Sequence, residues 1–168
     1  MQGRDLRSLR PLGLFLITFF LLQYGWERCR ETAIERLLID FATVQPAAAL
    51  INAVWPDQYV QAQGHSLISA HQRINVLNGC EGLEVAFLLV AALLASPMSW
   101  RRKMIAILCG LPTVYLFNQL RITALWQVQQ THPDLFGMMH GTVLPLVLIA
   151  LTLLFFLFCF PRTMDRSA

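Results

Sequence analysis

The chain has 168 residues, of which 56% are hydrophobic and only 14% are charged. A water-soluble domain usually carries about 25% charged residues, so this composition indicates a membrane protein. Thirteen Lys and Arg residues against ten Asp and Glu residues leave a formal net charge of +3, which disfavours nucleic-acid binding.

Four apolar stretches approach the length of about 20 residues that a helix needs to cross a hydrocarbon core. They cover residues 11–26, 82–100, 104–126 and 141–160. The first is short, but no pair of small residues suited to a signal peptidase follows it, so we expect an uncleaved anchor. The sequence therefore predicts an all-α, polytopic helical bundle with four transmembrane helices in a single membrane domain.

The longest connection, residues 27–81, has a pattern of its own. Five of its apolar residues recur at helical spacing: Ile34, Leu37, Leu38, Phe41 and Val44. This spacing predicts a half-apolar helix that lies along the membrane surface or packs on the bundle, and Pro46 is expected to interrupt it. The mixed sequence after Trp55 favours a small hairpin or an irregular cap.

The basic residues predict the orientation of the chain, because short cytoplasmic loops are enriched in Lys and Arg. They cluster before the first span, between the second and third, and after the fourth: Arg4, Arg7 and Arg10, then Arg101, Arg102 and Lys103, then Arg162 and Arg166. Both termini are therefore predicted to be cytoplasmic. Residues 27–81 then form a periplasmic segment between the first two helices.

Arg121 is the most unusual residue of the third span. It lies 17 residues beyond Met104, so a rise of 1.5 Å per residue places it about 25 Å along the helix, near the outer boundary. A charge at that depth costs roughly 2.5 kcal/mol or more unless it is paired or hydrated, which makes Arg121 a functional candidate. Asn118, three residues earlier, lies on the same helical face.

Two further polar residues are predicted at the depth of Arg121. Cys80 begins the second span and His140 begins the fourth. A thiol, a guanidinium and an imidazole at one depth could support acyl transfer, in which a thiolate attacks an amide carbonyl and forms a thioester. The helix N-terminus and the cation are expected to lower the pKa of the Cys80 thiol toward neutrality.

Each member of this set has an expected role. Cys80 is the nucleophile, His140 the general acid or base, and Arg121 the group that stabilises the thiolate or an oxyanion. Asn118 would support the arginine or add a donor. The two glycines beside the cysteine would let a substrate backbone approach the sulfur; they belong to the segment Asn78-Gly79-Cys80-Glu81-Gly82.

These residues also have purely structural interpretations. Arg121 could simply neutralise Glu84, one turn beyond Cys80, a pairing that is compatible with catalysis. His140 taken alone would be an interfacial residue, and Glu81 is interpreted as a solvated neighbour of the site.

The remaining cysteines and histidines receive no functional role. Cys109 and Cys159 lie inside spans and are interpreted as packing residues, and Cys29 as an incidental thiol. The four cysteines have no Cys-x-x-Cys spacing, and three histidines lack a convincing metal-ligand spacing: His65, His71 and His132. We therefore expect neither a metal nor a cofactor.

At these residues the sequence resembles the exosortase and archaeosortase family of membrane-embedded cysteine transpeptidases. Residues 78–82 look like its Cys-x-Gly motif, residues 118–121 like its Asn-x-x-Arg motif, and His140 like its downstream histidine. The resemblance covers about residues 78–160, and it implies that the cysteine, arginine and histidine form the active site. Typical members are longer and have more spans, so the chain looks like a compact four-span subfamily.

The resemblance also implies the substrates and the location. The partners would be secreted proteins that end in a short motif, a transmembrane helix and a basic tail. The enzyme would cut beside the motif at the periplasmic face of the bacterial inner membrane and pass the acyl group to a surface acceptor, often in cells that produce exopolysaccharide. Membrane lipid is the other expected partner, and the sequence does not fix the oligomeric state.

Two other functions fit parts of the sequence. A four-span membrane thiol oxidoreductase matches the size, but it relays electrons through outward-facing cysteine pairs, and only Cys29 and Cys80 could face outward here. A non-catalytic channel or scaffold subunit would explain Arg121 as a gate or a packing pair. It would leave the shared depth of Cys80 and His140 unexplained.

Overall fold

The computed structural model describes residues 2–76 and 79–160. Within these residues the chain forms five long helices and a small sheet. The helices are α1 (Gln2–Cys29), α2 (Ala33–Val54), α3 (Leu83–Ala95), α4 (Trp100–Thr131) and α5 (Pro133–Cys159). The strands are β1 (Gln61–Gln63), β2 (Ser66–Ile68) and β3 (Arg73–Asn75).

Four helices are long and apolar enough to cross a membrane: α1 from Leu9 onward, α2, α4 and α5. The predicted all-α membrane bundle with four such helices is therefore confirmed, although the set of helices differs. The predicted second span, residues 82–100, holds only the 13 residues of α3, which extend about 20 Å. The helix ends early because Ser96 adopts an extended conformation before Pro97, a residue that disfavours helix at the position preceding it.

The orientation of the termini stays a prediction. Of the basic residues on which it depends, Arg162 and Arg166 lie outside the described residues.

The helix predicted in the long connection is α2, and it continues through Pro46. Its segment Leu37–Val44 is π-helical and its segment Gln45–Val54 is α-helical. The expected interruption at Pro46 is wrong, because the wider turns just before the proline accommodate its ring without breaking the helix. The helix contacts α4, where Gln119 donates a hydrogen bond to the Thr43 carbonyl at 3.4 Å. Of the two predicted positions, along the membrane surface or on the bundle, α2 therefore takes the second.

The sheet is an antiparallel meander in the order β1-β2-β3, where we expected a hairpin or an irregular segment. Leu67 in the central strand pairs with Ala62 and Ile74. The sheet region is bonded to α2 in two places: Asp40 contacts His65, and Asn52 exchanges two hydrogen bonds of 2.8 Å with the backbone of Val60. We call α2 and the sheet together, residues 33–76, the cap.

Buried apolar residues form two clusters at different levels of α4. The first joins the cap to the C-terminal part of α4, with Ile39, Ile51, Leu67, Ile74, Ile122 and Trp126 among its members. The second joins α3, α4 and α5 and includes Leu89, Leu93, Ala106, Val114 and Leu148. The polar residues Asn118, Gln119 and Arg121 therefore lie on α4 between the two clusters.

Candidate active site

Helix α4 supplies two buried polar side chains between the two clusters. Asn118 is 1% exposed and Arg121 is 7% exposed. A buried charge needs bonded partners, and both side chains find them in the turn formed by residues 79–82. The Asn118 amide donates to the Cys80 carbonyl at 2.9 Å, and Arg121 Nη1 donates to the Gly79 carbonyl at 3.0 Å.

The turn requires glycine at two positions. Gly79 has φ +93° and Gly82 has φ +76°, values in the left-handed region that side chains with a Cβ rarely adopt. A Cβ on Gly82 would also lie 2.7 Å from Asn118 Cγ. The glycines that sequence reasoning assigned to substrate access therefore fix the turn itself against α4. Asn78, the first residue of the predicted motif, lies outside the described residues.

His140 reaches the turn from α5. It lies in the π-helical segment Met139–Val143, and such segments occur frequently at functional sites. Its Nε2 is 2.9 Å from Cys80 Sγ. Arg121 Nη2 lies 3.4 Å from the His140 carbonyl oxygen and 4.0 Å from the same sulfur. The structure thus brings the predicted thiol, imidazole and guanidinium together.

The surroundings of Cys80 favour the neutral form of its thiol. The residue is 2% exposed, and this burial raises the pKa of its thiol, with a smaller contribution in the same direction from the Glu81 carboxylate. The Arg121 guanidinium opposes the shift but does not reverse it. The expected lowering of this pKa is therefore wrong, because the cap removes the sulfur from water and desolvation disfavours the thiolate. The adjacent imidazole is the group placed to accept the proton.

The predicted pairing of Arg121 with Glu84 is not formed. Glu84 is exposed, and the two salt bridges found among the described residues do not include it. The guanidinium instead donates from Nη1 to the Gly79 carbonyl and from Nη2 to the His140 carbonyl, while its Nε is buried without a hydrogen-bond partner. Glu84 is therefore not part of the site as predicted.

Two further residues contact the site: Glu81, which the sequence analysis interpreted only as a solvated neighbour, and Phe136, which it did not mention. The Glu81 carboxylate accepts a hydrogen bond of 2.8 Å from the Gly79 N–H and closes the turn around Cys80. The Phe136 ring stacks on the His140 ring with centroids 5.5 Å apart and an interplanar angle of 17°. The spacing of four residues between Phe136 and His140 is a helical contact spacing and could have indicated this pair.

The geometry suits nucleophilic chemistry at the sulfur. An imidazole at hydrogen-bonding distance can take the thiol proton, and a permanently charged group beside the sulfur can stabilise negative charge. Within the described residues, no group of three or more His, Cys, Asp and Glu side chains could hold a metal ion.

Comparison with known proteins gives one match. The sequence matches the family described as transmembrane exosortase over residues 43–159, which is well over half of the chain. The matched region includes most of α2 and the sheet as well as the turn at Cys80, so it starts earlier than the resemblance seen at the motifs. No curated protein and no solved structure shows significant similarity to the chain.

Proposed function

The chain belongs to the transmembrane exosortase family, and from this premise we propose that it is a membrane-embedded cysteine transpeptidase or protease. Its substrates are secreted proteins whose C-terminal sorting signal consists of a short motif, a transmembrane helix and a basic tail. Cleavage takes place at the periplasmic face of the bacterial inner membrane, with both termini in the cytoplasm. The observation that carries the proposal is the contact of 2.9 Å between Cys80 Sγ and His140 Nε2.

In the first half of the reaction, the Cys80 thiol gives its proton to His140 Nε2 as the sulfur attacks the scissile carbonyl. The carbonyl oxygen becomes an oxyanion, and Arg121, whose Nη2 is 4.0 Å from the sulfur, stabilises it by charge. When the intermediate collapses, the C–N bond breaks and the leaving amine takes the proton from His140. The products are the released signal and a thioester on Cys80.

In the second half, a nucleophile replaces the sulfur. Water or an acceptor amine or hydroxyl gives a proton to His140 and attacks the thioester carbonyl. The C–S bond breaks, and the proton returns from the imidazole to the Cys80 sulfur. The free enzyme is regenerated with its neutral thiol, which agrees with the raised pKa of Cys80 at rest.

The alternative functions fit the geometry less well. A thiol oxidoreductase needs a second thiol that can exchange with the first. Here no disulfide joins any of the four cysteines, and the hydrogen-bonding partner of the Cys80 sulfur is the His140 imidazole. A channel or scaffold subunit has no use for an imidazole in contact with a buried thiol. The contact therefore favours acyl transfer over both.

The test is the processing of a tagged secreted protein that carries such a signal, in cells that contain a Cys80→Ala variant. We expect the uncleaved precursor to accumulate completely, because no other group can form the thioester. The matched control is Cys29→Ala, which should process the precursor normally. Normal processing by the Cys80 variant would overturn the proposal, and a disulfide-formation defect in both variants would favour the oxidoreductase.

A further inference from the structure

We infer that Phe136 is the positioning residue for His140: its ring, stacked on the imidazole, holds Nε2 toward the Cys80 sulfur. The inference concerns the site of the proposed function and rests on that proposal for its catalytic meaning. The stacking itself, however, can be tested through the chemistry of the thiol alone.

The imidazole lacks the partner that usually orients a base. In sites that pair a cysteine with a histidine, a third group normally bonds the second ring nitrogen and fixes the ring. His140 uses Nε2 for the contact with Cys80, and among the described residues no hydrogen bond or ion pair engages its Nδ1. Something else must restrict the rotation of the ring.

The backbone of His140 is held, but this does not fix the ring. Arg121 Nη2 lies 3.4 Å from the His140 carbonyl oxygen, and this contact sets where the residue sits relative to the turn at Cys80. The χ angles of the side chain remain free under this restraint. The contact with Phe136 acts on the ring itself.

The rings of Phe136 and His140 are nearly parallel, at 17°, with centroids 5.5 Å apart. This separation lies within the range in which offset aromatic rings attract one another. Phe136 is itself packed against the cluster that contains Cys80, so its ring is a fixed surface rather than a free one. A parallel ring on that surface restricts the tilt of the imidazole plane and so favours the orientation in which Nε2 faces the sulfur.

The experiment measures alkylation of Cys80 by iodoacetamide in the full-length protein, with Cys29, Cys109 and Cys159 replaced by Ser. We compare Phe136→Leu and Phe136→Met, which remove the ring but keep apolar bulk, with Phe136→Tyr, which keeps the ring. His140→Ala defines the rate without a base. Phe156→Leu is the matched control, because Phe156 lies on the same helix and forms an edge-to-face pair with Phe160.

At neutral pH we expect alkylation to slow by about twofold to tenfold in both variants that lack the ring, the range that loss of one aromatic pair implies. Phe136→Tyr and the control should match the parent, and His140→Ala should be slowest. At high pH the thiol ionises without help, so all rates should converge. A merely structural defect would change the rate at both pH values.

Three results would overturn the inference. They are an unchanged neutral-pH rate in the two variants without the ring, an equal loss at both pH values, and a parental rate in His140→Ala. In a cleavage assay Phe136→Leu and Phe136→Met should have a lower kcat and an unchanged KM. Altered alkylation without any cleavage by the parent would refute the proposed function alone, whereas cleavage that is insensitive to Phe136 would refute only this inference.

Discussion

Two ends of the molecule each bring cysteine and arginine side chains together, and they differ in the burial of the cysteine and in the groups beside it. At one end, Arg121 approaches the buried thiol of Cys80. At the other, a cavity between α4 and α5 is lined by Arg102, Cys109 and Cys159. The two arginines are separated by 19 residues of α4, which corresponds to roughly 28 Å along the helix.

The comparison of Cys80 with Cys109 shows which features distinguish the candidate site. Cys109 is exposed, and no histidine lines its cavity. Cys80 is buried, its sulfur touches an imidazole, and the arginine beside it is fixed by two backbone carbonyls. Cysteine and arginine side chains thus come together at both ends of this protein, and the imidazole together with the hydrogen-bonded turn distinguishes the candidate site.

The largest loss of activity is expected when the planar guanidinium of Arg121 is replaced by an ammonium group. Arg121→Lys keeps the charge but cannot donate to the turn, to the His140 segment and to an oxyanion with one planar group. We expect the rate of signal cleavage to fall by about 10²-fold to 10³-fold, as for the loss of an oxyanion donor. Arg102→Lys at the other end should cleave at the parental rate. Near-normal turnover of Arg121→Lys would mean that charge alone suffices.

A smaller loss of cleavage is expected from a substitution in the turn at residues 79–82, and none from a substitution in the packed helices. Gly82→Ala places a Cβ against Asn118 at positive φ, a strain of about 1–3 kcal/mol, so both thermal stability and cleavage per folded molecule should fall. Gly110→Ala meets the ends of the Leu89 and Phe155 side chains. It should lower stability alone. Equal cleavage rates in the two folded variants would show that the turn does not position Cys80.

The smallest effect concerns the pH dependence of Cys80 alkylation, again with the other cysteines replaced. The raised pKa of the thiol predicts that the alkylation rate reaches half its maximum, the midpoint, at a higher pH than for a free cysteine. Glu81→Gln removes a charge that raises this pKa, so its midpoint should move to lower pH. Arg121→Gln removes the cation that lowers it, so its midpoint should move to higher pH. Shifts in the opposite directions would contradict the electrostatics described above.

The convergence of Cys80, Arg121 and His140 could be predicted from the sequence. Helical rise places Arg121 near one end of its span, and the apolar runs place Cys80 and His140 at the same level. Helix lengths were less predictable: the early end of α3 depends on the conformation of Ser96. The periodicity of α2 likewise predicts one apolar face, but it does not show whether that face packs on the bundle or meets lipid.

The details of the site required the structure. The Glu81 carboxylate accepts a hydrogen bond from Gly79, which has a positive φ, and sequence spacing does not reveal this backbone geometry. The raised pKa of Cys80 depends on burial by a cap that begins more than 40 residues earlier in the chain. These properties arise from tertiary packing, which no local pattern of residues encodes.

The small sheet limits how deeply the protein can sit in lipid. Its outer strands, β1 and β3, have no further strand beside them within the described residues, and open sheet edges are not found in hydrocarbon. The five peptide steps from Asn75 to Cys80 span at most about 17 Å, so the sulfur lies within that distance of the sheet. In the mechanism that we propose, water around the sheet would compete with the acceptor for the acyl-enzyme, so the lifetime of this intermediate would depend on how soon an acceptor arrives.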